Sequence, residues 1–268
     1  MPEPVVDLLA SEFVALDALC GELDPGDWDR PTDLPGWSVR DNVAHVIGTE
    51  RMLLGHEVPE LPRGDYPHVT SALGEFNEAW VEAYRSHTGD EVLAAYRDVV
   101  GERLDALRAM SAEDFDRPGF TPVGEAPYRV FMRIRAFDIW MHEQDIRRAV
   151  GCPGSLDGPN ADDAVDWLLR SAPMVVGKRA GASDGSSVVL ELTGGVPRTV
   201  AIGVDGRAAV LDSVPEDPTA RLTMASEVYC RLAGGRMTAA DALADGLVET
   251  EGDAELAVRV LEALNVSP

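Results

Sequence analysis

The sequence predicts two domains of different class, an all-α bundle followed by a smaller α+β domain. Three observations carry this. Apolar residues recur with a 3.6-residue period up to about position 150. Beyond about position 186 that period gives way to short runs of strand type. Asp205-Gly206 lies between two of those runs, a strong two-residue hairpin signal. A chain of 268 residues is long enough for two domains. The boundary is expected near Gly151–Pro159, giving domains 1–155 and 156–268.

Residues 4–22 place Val5, Leu8, Leu9, Phe13, Leu16 and Leu19 in a helical pattern. Proline and glycine punctuate 25–36, which ends in DLPGW. Ser38 then begins a second helix that runs to about Leu54. With Asp41 it makes an S-x-x-D capping box, each side chain satisfying a terminal amide donor. A polar, proline-rich loop fills 56–70, and helical stretches follow near 71–86 and 90–110. A loop containing Pro118, Pro122 and Pro127 is expected before a helix at 129–150, which GCPG at 151–154 stops. In the second half a helix at about 160–176 precedes the stretch GKRAGASDGSS. Strands are expected at SVVLELT, RTVAIGV and RAAVL, with TARLT (219–223) as a further candidate. Two or three short helices close the chain from about 225 to 264, one capped by Thr238 and Asp241.

A hydrophobic content of 45% supports a real core. No apolar run approaches the length of about 18 residues that a spanning helix needs. The first twenty residues have no basic segment before their apolar positions and do not read as a secretory signal. A cytoplasmic protein is expected. Cys20, Cys152 and Cys230 are far apart and form no CxxC pair, so reduced thiols are expected. A net charge of −24 argues against nucleic acid and anionic membranes as partners, because both need a basic footprint. A monomer or homodimer acting on a small molecule is the expectation.

The stretch RAFDIWMHEQDIRRA (135–149) poses the chemical question. Asp138, His142 and Asp145 fall at i, i+4 and i+7, so three ionisable groups share one face of a helix whose stripe begins and ends apolar. Inward-facing i, i+4 pairs of this kind build metal sites in four-helix bundles. A buried Asp–His hydrogen bond or an exposed polar face would use the same residues. Of the other histidines, His56 and His68 lie in the proline-rich loop, where exposure explains them. His87 sits at a helix end, where it complements the dipole. His45 is the remaining mid-helix candidate, but it lies roughly 120° from the apolar stripe of its own helix at 100° per residue. Spacing alone does not turn it inward.

Two stretches bear a family resemblance. LPGWSVRDNVAHVIGTE resembles the W-S/T-V-R-D-x-x-A-H segment of the mycothiol-dependent maleylpyruvate isomerase family, within the DinB-like group of metal-dependent thiol S-transferases. FDIWMHEQDIRRAVG resembles that family's second metal motif, an acid followed four residues later by histidine. The two occur in the family's order, about a hundred residues apart. The tail, from RLTMASEVYCRLAGGRM onward, is similar to the family's sterol-carrier-like domain. The resemblance implies an N-terminal DinB-like four-helix bundle with a C-terminal α+β sterol-carrier-like domain. It also implies a divalent metal, with zinc foremost, held by His45, Asp138 and His142. The family often has glutamate where this chain has the shorter Asp138.

Three protein ligands leave an open position, as in catalytic zinc sites. A thiol has an ordinary pKa near about 8.5, and coordination to a divalent ion deprotonates it. The implied activity is therefore activation of mycothiol as thiolate for addition to a small electrophile. The outcome would be isomerisation of a maleylpyruvate-like substrate or S-transfer. Asp145 or Asp41 could orient a ligand histidine from behind, and a surface pair with Arg148 is the alternative for Asp145. Arg236, in the GGRM segment, could bind a substrate carboxylate through two parallel hydrogen bonds; a solvated loop arginine is its alternative. Two other readings compete. A facial-triad iron oxygenase uses the same donor types, but the strands of a barrel are missing from the sequence. A non-catalytic small-molecule or lipid-binding protein would have a degenerate bundle.

Overall fold

The computed structural model describes residues 3–266. It divides into two compact units between Ser155 and Leu156.

The first unit is helical. Four long helices, α1 (Pro4–Gly21), α2 (Val39–Leu53), α4 (Gly89–Ala109) and α6 (Tyr128–Val150), form a closed four-helix bundle. α1 packs against α4 and α6, and α2 packs against the same two. α3 (Ala72–Tyr84) lies along α2, and α5 (Ala112–Asp116) is a short turn beside α6. The core joins Leu9, Phe13 and Leu16 to Val43 and Ile47, Tyr96 and Leu107, and Met132, Ile139 and Ile146. A Cβ at Gly48 would meet the Trp80 side chain at 2.3 Å, so glycine is what lets α3 approach α2 so closely. α6 ends at Gly151, whose φ of 70° gives the left-handed cap that satisfies the last carbonyls.

The expected loop at 118–127 is instead a two-stranded hairpin, β1 (Pro118–Thr121) with β2 (Gly124–Pro127). Pro118 and Pro127 face each other near its open end, one pair inside the backbone hydrogen bond from Tyr128 N to Arg117 O at 2.9 Å.

The second unit holds a five-stranded sheet in the order β5-β4-β3-β6-β7. β3 (Ser187–Thr193), β4 (Arg198–Asp205) and β5 (Arg207–Val210) form an antiparallel meander that turns at Gly206. β6 (Ala220–Ala225) runs parallel to β3. β7 (Val248–Gly252) is an edge strand inside the stretch read as helices only. VETEG has a single buried residue, Val248, and thus no alternation to reveal it. The helix expected at 160–176 is α7 (Gly158–Leu169), followed by the single turn α8 (Ala172–Met174) and a π-helical turn at Val175–Arg179. α9 (Ser226–Ala233), α10 (Ala239–Ala244) and α11 (Ala254–Ala263) complete an α+β fold. No helix among the described residues is long and apolar enough to cross a membrane.

Candidate metal centre

α2 begins as its sequence specifies. Ser38 accepts from Asp41 N, and Asp41 Oδ2 accepts from Ser38 N at 2.8 Å. Asp41 is therefore spent on the cap and does not support His45. Seven positions into α2, His45 is 6% exposed. Every residue from Asp41 to Glu50 is buried, because α3, α4 and α6 all contact this helix. A stripe calculated from one helix cannot anticipate a helix with neighbours on three sides.

α6 brings Asp138 and His142 to the same place. His45 Nε2 lies 3.1 Å from Asp138 Oδ2, and His142 Nε2 lies 3.7 Å from Asp138 Oδ1. Donor atoms of all three residues fall within 4.8 Å of one another. Both imidazoles are buried, while the Asp138 side chain keeps 31% exposure and gives the cluster a solvent-facing side. Trp37, from the DLPGW turn, walls the site with its ring centroid 5.3 Å from His45 and 5.9 Å from His142. Glu78 on α3 accepts from the indole Nε1 at 2.9 Å. Glu78 also meets His68 Nε2 at 3.0 Å, so His68 is a part-buried anchor of the proline-rich loop rather than an exposed loop residue.

The support behind His142 comes from a residue the sequence did not single out. His142 Nδ1 lies 2.7 Å from Asn42 Oδ1. The Asn42 amide donates to Ser38 O at 2.8 Å and to Thr32 Oγ1 at 3.1 Å, which fixes its oxygen toward the imidazole. His142 therefore donates through Nδ1 and turns Nε2 toward Asp138. Asp145 stands farther off, 3.6 Å from Nδ1, and pairs with Arg148. The only signal for Asn42 was its place one turn before His45 within the motif.

Burial pushes His45 down to about 4 against the pull of Asp138, so this imidazole is neutral at neutral pH. Burial also acts to lower His142, but Asp138 and Asp145 outweigh it and leave it raised. Burial would raise Asp138; Arg135, then His45 and His142, outweigh that and hold it well below the usual carboxylate range.

The donor set fits a divalent cation. Two imidazoles and one carboxylate are ligands of the borderline kind that zinc takes. The 3.7 Å between His142 Nε2 and Asp138 Oδ1 is too long for a hydrogen bond but suits two ligands of one ion. His45 Nδ1 is buried without a hydrogen-bond partner, so the ring is held by packing and by Asp138 rather than by a polar network of its own.

Arg236 belongs to the second unit, in the turn after α9. Its backbone N–H donates to Arg231 O and its Nη1 to Gly234 O at 2.6 Å, and the side chain is part-buried.

Fold and donor set together define a class, helical-bundle proteins with a His/Asp/His cluster between facing helices. Within that class the family is shown. The profile of the mycothiol maleylpyruvate isomerase N-terminal domain matches residues 9–147, half of the chain, and the chain belongs to that family. The profile of the SCP-2 sterol transfer family matches residues 173–265. The fold is that of a crystallised mycothiol-dependent maleylpyruvate isomerase, at a TM-score of 0.59 and 18% identity over 95% of both chains. A histidine-to-alanine mutant of that enzyme gives 0.58 and 16% over the same shares. An uncharacterized protein of Mycobacterium tuberculosis, found in two strains, is 26% identical over 152 residues. That alignment spans 56% of this chain and 58% of the relative's length.

Proposed function

We propose that this protein is a metal-dependent thiol enzyme in which His45, Asp138 and His142 hold a divalent cation, with zinc the first choice. The observation that carries the reading is the meeting of these three donors within 4.8 Å, from two helices and about a hundred residues apart in sequence. Membership of the family supports mycothiol as the thiol and a small maleylpyruvate-like electrophile as the substrate. When bound, the cation would supply Lewis-acid stabilisation of the thiolate at neutral pH.

The chain's own residues account for the rest. Burial keeps His45 neutral, and the Asn42 contact at His142 Nδ1 leaves Nε2 as the nitrogen that would hold the cation, whose binding would release any proton held there. Ionised Asp138 adds one negative charge. The Trp37 ring shields one side of the imidazoles from water and strengthens electrostatics there. Arg236 is assigned the binding of a substrate carboxylate. The product would be an isomerised substrate or a released S-conjugate, two outcomes of the same thiol addition.

Metal content of the untagged wild type and His142→Ala, by elemental analysis, tests the reading. About one zinc per chain, lost in the variant, is expected, together with substrate turnover that requires mycothiol. A metal-free wild type that refuses added zinc would leave a small-molecule-binding protein, the role that the sterol-transfer profile over 173–265 favours. Arg236→Lys should raise KM for a carboxylate-bearing substrate and leave metal content unchanged.

A further inference from the structure

We propose that Arg135 is a positioning residue which occupies one oxygen of Asp138, so that this carboxylate serves the cation through its other oxygen alone and a coordination position stays open for the thiol. The inference rests on the metal reading above and deepens it.

The two oxygens of Asp138 have different surroundings. Oδ2 accepts from Arg135 Nη1 at 2.5 Å and also meets His45 Nε2 at 3.1 Å, while Oδ1 faces His142 Nε2 at 3.7 Å. Arg135 cannot easily turn away. It is 3% exposed, and its Nε donates to Glu50 Oε1 at 2.8 Å. Glu50 has no exposure, and its Oε2 accepts from Arg103 Nε at 3.0 Å. Arg103 in turn donates to the Tyr128 hydroxyl. Glu50 lies on α2 with His45, Arg103 on α4, and Arg135 on α6 with Asp138 and His142. One buried carboxylate thus ties together the two helices that carry the donors. Arg135 Nη2 is buried without a partner, so the guanidinium gives up one hydrogen bond in the orientation that serves both Glu50 and Asp138.

A carboxylate free at both oxygens can chelate a cation and take two positions of its coordination shell. Two imidazoles plus a chelating carboxylate would then fill the four positions of a tetrahedral site. A guanidinium fixed on Oδ2 takes one of its lone pairs and disfavours this. A bare charge-balancing role predicts something else. Glu50 and Asp138 match Arg103 and Arg135 in charge, so removing Arg135 would simply leave the cluster more negative and bind cations more tightly, with coordination unchanged.

Cobalt(II) reports the difference, with 2-mercaptoethanol as the thiol probe. In Arg135→Gln, cobalt should still bind. Its visible bands should weaken as the coordination number rises, and the thiolate-to-cobalt charge-transfer band should need about tenfold more thiol. Arg135→Lys, which keeps one charged donor, should restore much of the wild-type spectrum. If Arg135→Gln does not fold, the near-isosteric Glu50→Gln reads the same effect, in the same direction but smaller. A wild-type spectrum and thiol titration in Arg135→Gln or Glu50→Gln, with only a lower melting temperature, would overturn the proposal and leave Arg135 as a structural brace. Absence of cobalt uptake by the wild type would instead sink the metal reading itself, a separate outcome.

Discussion

In the helical unit Glu50, Glu78, Arg103, Arg135, Glu143 and Asp145 are all at most 3% exposed, whereas in the α+β unit Ser226 is the one polar residue in the buried set among those described. Taking a charge out of water costs several kcal/mol unless partners replace the solvent (about that much per ion after relaxation). The helical unit meets that cost with pairs: Glu50 with Arg103 and Arg135, Glu78 with Arg85, Glu143 with Arg147, and Asp145 with Arg148. The α+β unit needs none, since Leu190, Leu222, Val260 and Leu261 close its core by apolar burial. Buried pairs of this kind contribute little net stability against an apolar core. Their concentration around the helices that carry His45, Asp138 and His142 points to geometry as what they secure.

The largest effect should come from breaking a pair. Glu50→Ala leaves two buried guanidiniums without their carboxylate and should cost about 3–5 kcal/mol in denaturant unfolding, with loss of metal. Leu222→Ala in the other unit should cost about 3 kcal/mol through its cavity, yet leave metal content unchanged. Equal loss of metal in both variants would erase the contrast between the units. Next comes Asn42→Ala, which removes the acceptor for His142 Nδ1–H. Chelator competition should show about ten- to a hundredfold weaker metal binding, well beyond the effect on stability.

A pH scan sharpens the same contrast. His45 sits at about 4 when folded, against an ordinary value of 6.5. Between those values the unfolded chain binds a proton that the folded chain does not. Stability therefore rises with pH through that window and is lost on acidification. Asp138, held low, acts with the same sign below the ordinary carboxylate pKa. His142, held high, acts the other way: its contribution is full below its ordinary value and is lost as pH rises past its folded one. The melting temperature of metal-free wild type should fall more steeply than that of His45→Gln from about pH 6.5 to about pH 5. The smallest effect is local: Ser38→Ala should cost about 1 kcal/mol by unfolding, because it removes the α2 cap and no charge pair.

What could be read without coordinates was local in origin. The 3.6-residue period marked α1, α2, α4 and α6. The S-x-x-D box marked the start of α2, Gly151 the end of α6, and Asp205-Gly206 the turn between β4 and β5. Asp138 and His142 shared a face because four residues make about one helical turn. Tertiary structure decided the rest. His45 points inward because three helices surround α2, a fact absent from the period of α2 itself. Asn42 meets His142 across 100 residues, and Glu50 meets Arg135 across 85. The hairpin at 118–127 and the edge strand at 248–252 exist through their pairing partners and lack the alternation that would mark them alone. Helix periods and turn chemistry arise between neighbours in the chain. The His45/Asp138/His142 cluster and its charge network depend on distances between segments, which exist only once the bundle has closed.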